Sequence, residues 1–168
     1  MGMDAPTLRP FEDADIPLLR DWLYRDHVAR WFEHPESWLR EVRGHHGEFS
    51  FIRHFILLCG QRPIGFCQYY DGFDAQEDWY AIDRPRDTFS IDYLIGEAAY
   101  LNRGYGKAAV ALLTDRAAQQ GARRIIAQPE PGNEASQAVL RANGYVYSDE
   151  QGHYQKFLQP EGRSLTQP

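Results

Sequence analysis

The stretch Arg103-Gly104-Tyr105-Gly106-Lys107-Ala108 decides the fold, because it joins a predicted strand to a predicted helix. Thr88 to Ile95 before it is rich in β-branched and aromatic residues, which is typical of a strand. Tyr105 to about Gln120 carries apolar residues at helical spacing, and Gly121 provides a stop. A glycine-containing turn at a helix start presents unpaired N–H groups and the positive end of the helix dipole. The stretch therefore predicts a cradle for a pyrophosphate.

Two other phosphate-binding motifs are absent from the sequence. There is no G-x-x-x-x-G-K-[ST] segment, which excludes a P-loop for nucleoside triphosphates. There is no G-x-G-x-x-G in an N-terminal β-α-β unit, which excludes a dinucleotide fold. The spaced glycines alone would also fit a tight helix entry without a ligand.

The rest of the chain predicts strands and helices on both sides of this turn. Before it lie a strand over 7–11, a helix capped by Asp13 and reaching about Arg25, a helical segment over 35–42, and a hairpin of strands 49–58 and 64–70. After it lie a strand over 124–127, a helix from Asn133 to Asn143, and strands 145–147 and 153–158. This order predicts one α/β domain over residues 1–168, an α+β mixed sheet flanked by helices on both faces, with a frayed tail from about residue 159.

Composition bounds the class of protein. With 168 residues, of which 43% are hydrophobic and 25% charged, the chain can bury a core beneath a polar surface. The net charge of −6 is opposite to the basic footprint of a nucleic-acid-binding domain. No apolar run approaches the ~20 residues that span a bilayer, and the first residues lack the pattern of a signal peptide. We therefore expect a cytoplasmic protein with neither a nucleic-acid nor a membrane partner.

Cys59, Cys67 and the pair His45-His46 are the residues that a disulfide or a metal would use first. Both cysteines lie in apolar strand-like runs and predict reduced core thiols, because two thiols make neither a disulfide framework nor a cysteine-rich zinc site. The histidine pair has no evident partner ligand in the sequence. We therefore expect no metal.

Negative charge is concentrated between residues 71 and 92. This stretch has seven Asp and Glu residues against two arginines, a net charge of −5. Residues 71–87 show no sustained period and predict a long loop. Such a loop is either a solvated acidic surface or a field that attracts a cationic substrate.

The central stretch resembles the signature of a known enzyme family. Arg103-x-x-Gly106-x-Ala108 is similar to the [QR]-x-x-G-x-[GA] motif of GCN5-related N-acetyltransferases (GNAT). Pro129, Asn133 and the helix that ends in Asn143-Gly144-Tyr145 resemble the next motif of that family. The resemblance implies the GNAT fold and acetyl-coenzyme A (acetyl-CoA) as cosubstrate.

The resemblance also implies how the coenzyme would bind. The backbone amides of Arg103, Gly104, Tyr105, Gly106, Lys107 and Ala108 would hold the pyrophosphate. The pantetheine arm would lie along the strand that ends in Tyr93-Leu94-Ile95, and Asn133 would contact it. A backbone N–H near Leu94 would polarise the thioester carbonyl. The sequence departs from the family at Leu140, where a tyrosine often protonates the leaving thiolate, so the general acid stays unassigned.

The first half resembles aminoglycoside 6′-N-acetyltransferases more particularly. The similar segments are Trp22-Leu23 followed by His27, Trp31 and Phe32; Pro63 to Tyr70; Asp78-Trp79; and Ile91-Asp92. The same pattern is shared by enzymes that acylate siderophore precursors. Gln128 stands where an aspartate of the aminoglycoside enzymes is expected, which removes one carboxylate.

These segments predict the acceptor site. An aminoglycoside is a polycation with many hydroxyls, so its site needs carboxylates and aromatic rings. The candidate substrate-binding residues are Trp31, Gln68, Tyr70, Asp78, Trp79 and Asp92. We expect Asp92 to accept the proton of the amine, directly or through water. His27 is interpreted as a packed, hydrogen-bonded side chain.

Three functions stay open from the sequence. The first is acetyl transfer to the primary amine of a small cationic, aminoglycoside-like acceptor. The second is acyl transfer to a siderophore precursor, another metabolite or a peptide amine. The third is a CoA-binding module without turnover. The expected partner is a small-molecule amine, and the chain is either a monomer or a homodimer.

Overall fold

The computed structural model describes residues 4–159, in which seven strands form one mixed sheet. The strands are β1 (Thr7–Pro10), β2 (Ile52–Cys59), β3 (Arg62–Asp71), β4 (Thr88–Ile95), β5 (Arg124–Ala127), β6 (Val146–Ser148) and β7 (His153–Phe157). The α-helices are α1 (Ile16–Leu23), α2 (Asp26–Ala29), α3 (Pro35–Arg43), α4 (Gly72–Ala75), α5 (Tyr105–Gln119) and α6 (Glu134–Ala142). Two 3₁₀ turns lie at Asp13–Asp15 and Ala98–Tyr100.

The sheet has the order β1-β2-β3-β4-β5-β7-β6. Every neighbouring pair is antiparallel except β4 and β5, which are parallel and connected through α5. The predicted mixed α/β sheet is therefore confirmed. Its parallel pair lies at the centre, where the chain crosses from one side of the sheet to the other.

Two hydrophobic clusters cover the two faces of this sheet. One packs α5 against the face that carries Ile91 and Ile95 of β4. The other packs α1 and α3 against the face that carries Phe66 and Leu94. Because strand side chains alternate between faces, β4 contributes its odd-numbered residues to one cluster and its even-numbered residues to the other.

Most of the predicted elements are confirmed. The predicted bounds of strands 88–95 and 124–127 agree with β4 and β5, and Asn133 caps α6 by accepting a hydrogen bond from the Ser136 amide (3.2 Å). Cys59 and Cys67 are free thiols, as expected. The tail predicted to fray lies outside the described residues, apart from Gln159.

The N-terminal helix departs from the prediction. Asp13 does not cap it but lies within a 3₁₀ turn, and α1 ends at Leu23 rather than near Arg25. Asp15 directly precedes α1 without capping it through its side chain; its carboxylate accepts from the Glu12 amide at the start of the 3₁₀ turn (2.8 Å) and forms an ion pair with Arg9 (2.9 Å). The short helices α2 and α4 were not predicted, because single-turn helices leave little periodicity in a sequence.

Residues 4–159 contain no helix that is long and apolar enough to cross a bilayer.

Candidate active site

The strands β4 and β5 separate part-way along their length. They pair at three positions, Thr88 with Arg124, Phe89 with Ile125 and Ser90 with Ile126. Residues 91–95 continue beyond these pairs with β3 on one side and a cleft on the other. The second half of β4 is therefore a strand edge that is open toward the cleft.

The register shows which backbone groups belong to β3. The Gly96 N–H donates to the Ile64 carbonyl (2.8 Å), and these two residues lie opposite each other in the β3–β4 ladder. Opposite pairs in an antiparallel ladder alternate between hydrogen-bonded and non-hydrogen-bonded. Leu94, two residues earlier, therefore directs its N–H toward Phe66 in β3. It does not present that group to the cleft.

The odd-numbered residues of β4 direct their backbone groups toward the cleft instead. The carbonyl of Ile95 lies 3.0 Å from His27 Nε2, on the side away from β3. By the same alternation the N–H groups of Tyr93 and Ile95 face the open edge. The sequence predicts that a backbone N–H near Leu94 polarises the thioester. The strand register favours the N–H of Tyr93 or Ile95 for this role, because those groups face the cleft.

The N-terminus of α5 forms a turn of the expected kind beside this edge. Gly104 precedes the helix with a φ of +90°, a conformation that favours glycine. The amides of Tyr105, Gly106 and Lys107 lie in the first turn, where a helix leaves N–H groups without intrahelical partners. The Ala108 amide already donates to the Gly104 carbonyl (3.1 Å), so it is engaged in the helix.

Gly106 is placed where a side chain would not fit freely. A Cβ atom there would lie 3.2 Å from Cε2 and 3.4 Å from Oη of Tyr93. The Tyr93 phenol contacts Ser136 of α6, and burial raises its pKa, so it stays protonated at neutral pH. The exposed guanidinium of Arg103 lies 6.0 Å from the ring centre of Tyr100. The turn is thus closed on one side by Tyr93 and flanked by a free cation.

A cleft of about 610 Å³ connects the turn with the open edge. Its walls include β4 residues 91–95, Gly104, Gly106, Lys107, Asn133 and Leu140. Asn133 uses its side-chain oxygen to cap α6, as described above, and still borders the cleft. Leu140 is buried and carries no proton donor.

Asp92 lies on the opposite face of β4 from Tyr93. It is half-buried, and its Oδ2 accepts a hydrogen bond from Gln68 Nε2 (2.9 Å) on the adjacent strand. Burial raises the pKa of the Asp92 carboxyl to about 6, with Glu77 adding to the rise and the Gln68 hydrogen bond opposing it. A carboxyl with this pKa is ionised at neutral pH and still basic enough to accept a proton.

The loop between α4 and β4 brings Glu77 toward Asp92, and not the predicted Asp78. Glu77 accepts hydrogen bonds from the Tyr70 hydroxyl and from Trp79 Nε1 (3.1 Å). Asp78 is exposed and has no hydrogen bond or ion pair within residues 4–159. Three of the predicted residues, Gln68, Tyr70 and Trp79, are therefore arranged around the pair of Asp92 and Glu77.

Glu41 of α3 is a further carboxyl that the sequence did not predict. It is half-buried, and its pKa is raised to about 7 by desolvation and by the charges of Asp92 and Glu77, while Arg40 opposes the rise. In the sequence, only its position three residues after Trp38, on the same face of the helix, indicates that Glu41 could lie near the cleft. Carboxyl groups from α3, β4 and the 76–87 loop thus share one field.

Other acids in the predicted acidic stretch have structural roles. Asp71 accepts from the amides of Phe73 (3.0 Å) and Arg86 (2.6 Å), which caps α4 and closes the loop. Asp87 accepts from the Thr88 hydroxyl (3.1 Å). The negative charge at the site therefore comes from only some of the acidic residues counted between positions 71 and 92 in the sequence.

Some of the aromatic residues of the cleft lie on the face of the sheet that is covered by α1 and α3. Trp31 borders the cleft together with Phe32 and Trp38, and the Arg30 guanidinium lies 4.9 Å from the Trp31 ring centre. His27 is hydrogen-bonded as described above, which agrees with its interpretation as a packed side chain. These rings adjoin the face of β4 that carries Asp92.

The pair His45-His46 lies outside this cleft. His45 Nε2 is 2.8 Å from Asp13 Oδ1, and the donor atoms of Asp13, His45 and His46 lie within 4.8 Å of one another at the surface. The structure thus supplies a neighbour that the sequence pattern did not indicate. None of the three side chains borders the cleft.

The comparison with known families decides which class of protein this geometry represents. A family model described as an acetyltransferase (GNAT) domain matches residues 12–151, most of the chain. The chain belongs to the GNAT acetyltransferase family. The resemblance of the central stretch to that family's motif is confirmed.

Two curated relatives have the same name, aminoglycoside N(6′)-acetyltransferase type 1, and come from Klebsiella pneumoniae and Serratia marcescens. Each is 27% identical over 119 residues, a match that spans 67% of this chain and 59% of the relative. The similarity thus covers less than two thirds of the relatives' own length.

Solved structures agree on the fold. A structure of AAC(6′)-Ib in complex with ribostamycin and coenzyme A has a TM-score of 0.80 at 22% identity and covers 96% of this chain and 99% of the other. An aminoglycoside N(6′)-acetyltransferase from Legionella pneumophila has a TM-score of 0.71 at 13% identity, covering 92% of each chain. A ribosomal protein α-N-acetyltransferase, RimL, has a TM-score of 0.68 at 18% identity, covering 92% and 94%. At these identities the likeness establishes the GNAT fold.

Proposed function

We propose that this GNAT protein transfers an acetyl group from acetyl-CoA directly to a primary amine of a small polycationic, aminoglycoside-like acceptor. The observation that carries the proposal is the placement of Asp92. Its carboxylate faces a cluster of acids and aromatic rings, while the open edge of the same strand faces the coenzyme cleft. The names of the two curated relatives and the aminoglycoside complexes of AAC(6′)-Ib support the same acceptor class.

The cleft accounts for coenzyme binding in two parts. The first-turn amides of Tyr105, Gly106 and Lys107 and the helix dipole of α5 suit the pyrophosphate. The open edge of β4 offers its outward N–H and C=O groups to the amides of the pantetheine arm, as an added strand would pair. Gly106 suits this turn because a Cβ atom there would lie 3.2 Å from the Tyr93 ring, so that a larger side chain would displace the ring or narrow the space for the phosphate groups.

Asp92 prepares the acceptor for reaction. An alkylammonium group cannot attack until it has lost a proton, and the Asp92 carboxylate accepts that proton directly or through a water. Bound acetyl-CoA supplies a thioester carbonyl that is already activated toward an amine. The outward N–H groups of Tyr93 and Ile95 lie about 7 Å apart on the strand, so one of them would donate to the oxygen of that carbonyl as negative charge develops there, while the other pairs with the pantetheine arm.

The departing thiolate has no tyrosine at position 140 to protonate it. The thiol end of the arm lies along the open edge of β4, away from the α5 turn that holds the pyrophosphate, so an outward backbone N–H of that edge would stabilise the leaving thiolate. The phenols of Tyr93 and Tyr100 border the cleft, and burial raises the pKa of Tyr93, so that this phenol is protonated at neutral pH. No covalent acyl-enzyme is needed, since the amine attacks the thioester directly.

The acids around Asp92 select a cationic acceptor. Glu41, Glu77 and Asp92 come from three segments, and the raised pKa values of Glu41 and Asp92 report their mutual repulsion as well as their burial. A polycation relieves this repulsion, whereas a neutral or anionic acceptor does not. We further propose that the protein works in the cytoplasm, as a monomer or a homodimer, on a small-molecule amine and without a metal.

The test is a coenzyme A release assay with acetyl-CoA and a matched panel of amines. The panel contains aminoglycosides with and without a 6′-amine, linear polyamines, hydroxylamines and N-terminal peptides. The proposal expects turnover of aminoglycosides that carry the 6′-amine and none of those that lack it. Selective turnover of a hydroxylamine or a peptide would replace the proposed acceptor, and coenzyme binding without any turnover would favour the binding module.

A further inference from the structure

The sheet face beneath α1 and α3 carries two adjacent cross-strand rows of different chemistry. One row is apolar and contains one residue from each of β2, β3 and β4, namely Ile56, Phe66 and Leu94. The next row along the same strands is polar, namely His54, Gln68 and Asp92. His54 lies directly opposite Gln68, and Gln68 lies directly opposite Asp92. The proposed base is therefore the half-buried end of a row that continues into the core.

The inner part of this row is buried and incompletely hydrogen-bonded. His54 is 7% exposed and Gln68 is 2% exposed. Gln68 Nε2 donates to Asp92, but Gln68 Oε1 and both ring nitrogens of His54 lack partners among residues 4–159. Leaving a buried acceptor without a donor costs about 1–3 kcal/mol, so such a group calls for a structural reason.

His54 is held as a neutral ring beside Gln68. It stacks on Phe66 with ring centres 5.7 Å apart and meets the edge of Phe11 at 6.2 Å. Burial lowers the pKa of His54 to about 4, while the neighbouring Gln68 opposes that change. A neutral imidazole has one N–H to donate. The facing Gln68 Oε1 is the acceptor that the register places opposite it.

We propose that His54 is a positioning residue: a rotation of its ring or of the facing amide brings the ring N–H onto the unpartnered Gln68 Oε1, so that the amide end of Gln68 is fixed on Asp92. A carboxamide can present either its oxygen or its NH₂ group to a neighbour. With the oxygen held by His54, the NH₂ group must face the carboxylate. Because the role of His54 runs through Asp92, this inference rests on the proposed function.

The consequence is control of the proton affinity of Asp92. The groups that face Asp92 are Gln68 and the Tyr70 phenol from β3, Glu41 from α3 and Glu77 from the loop. The hydrogen bond from Gln68 lowers the pKa of Asp92, whereas Glu77 raises it. His54 itself is faced by Gln68, by the rings of Phe11 and Phe66, and by His45, whose charge would lower the pKa of His54. Loss of the His54 N–H therefore leaves the Asp92 carboxylate alone to orient the Gln68 amide, which weakens the hydrogen bond that keeps Asp92 ionised.

The test compares three variants by two readouts. His54→Phe removes the donor and keeps a planar ring, whereas His54→Gln returns an N–H donor from a side chain of another shape. Phe11→Leu loosens the packing against the His54 ring and leaves all three polar side chains of the row in place. The readouts are the pH dependence of kcat/KM with the best amine of the panel, and the titration of the Asp92 carboxyl followed by ¹³C NMR.

We expect His54→Phe to move the midpoint of the acidic limb and the Asp92 titration upward together, by about 0.5–1 pH unit. His54→Gln should restore most of the shift, and Phe11→Leu should leave both midpoints in place. Unchanged midpoints in His54→Phe, or an equal shift in Phe11→Leu, would overturn the inference. The NMR titration needs no acceptor, so it tests the role of His54 independently of the proposed function. If Asp92→Asn were fully active, the catalytic role of Asp92 would be lost, but the titration would still show whether His54 controls the pKa of Asp92.

Discussion

The two sides of β4 differ in how they bind their ligands. The edge that faces the cleft presents backbone groups, namely the outward N–H and C=O groups of residues 91, 93 and 95 beside the first turn of α5. The face that carries Asp92 presents side chains from β3, α3 and the 76–87 loop. One side therefore depends on strand register and on glycine, and the other depends on the charge and hydrogen bonding of individual side chains. Substitutions on the two sides should fail in different ways.

The largest effect should come from Asp92. Asp92→Asn removes the proton acceptor while retaining the size and a hydrogen-bonding group, so kcat/KM should fall about 1,000-fold. The affinity for acetyl-CoA, measured by calorimetry, should change less than about twofold, because Asp92 lies on the other face of the strand.

Asp78→Asn is the matched control for this variant. It makes the same change of charge at an exposed site in the 76–87 loop, away from β4. We expect near wild-type turnover from it, and a comparable loss in both variants would assign the effect to the overall field instead of to the Asp92 position.

The next effect should come from the coenzyme side. Gly106→Val places a branched side chain where a Cβ atom alone already approaches the Tyr93 ring to 3.2 Å. The affinity for acetyl-CoA should fall about 100-fold, while circular dichroism and the melting temperature show a folded protein. Coenzyme affinity equal to that of the wild type would remove the α5 turn from the binding site.

A smaller effect should come from Glu41. Glu41→Gln removes one of three carboxylates, so at pH 8 the KM for a polycationic acceptor should rise about 5- to 10-fold, equivalent to ~1 kcal/mol. The KM for a monoamine should stay unchanged, because its single ammonium group interacts with Asp92 and it has no second charge for Glu41 to attract. Glu48→Gln, an exposed carboxyl that pairs with Arg40, is the control. A rise of both KM values to the same extent would contradict the charge argument.

The smallest effect concerns stability. Asp92 and Glu41 have pKa values of about 6 and 7 in the fold, above their ordinary values near 4. The folded state therefore binds more protons than the unfolded chain between about pH 4 and 7, and stability falls as the pH rises through that window. Asp92→Asn or Glu41→Gln should raise the melting temperature at pH 8 by a few degrees and change it little near pH 4. A lower melting temperature at pH 8 would show that these carboxylates stabilise the fold.

The sequence predicted the backbone side of this comparison better than the side-chain side. A helix start with glycines after a strand is a local pattern, so the α5 turn, β4, β5 and the Asn133 cap could all be located from neighbouring residues. Which residue of β4 directs its N–H toward the cleft, Leu94 or its neighbours, could not be predicted, because that direction depends on how β4 pairs with β3. That pairing joins segments about 30 residues apart.

The acceptor side depends on contacts that are distant in sequence. Glu41 lies about 50 residues before Asp92, and only the packing of α3 on the sheet brings their charges together. The resemblance of the segment Asp78-Trp79 predicts Asp78 as a substrate-binding residue, yet in the structure it is Glu77 that accepts hydrogen bonds from Tyr70 and Trp79. His54 could not be predicted from the sequence, because it is a single histidine within a largely apolar strand and belongs to no motif.

The most direct test of the division between edge and face is a crystal structure with coenzyme A and an aminoglycoside bound together. We predict the pantetheine arm between β4 and β5, with its amides hydrogen-bonded to backbone groups of Tyr93 or Ile95, and an acceptor amine within hydrogen-bond distance of Asp92. An arm that pairs with Leu94, or an acceptor amine held on the α5 side of the sheet, would contradict the account.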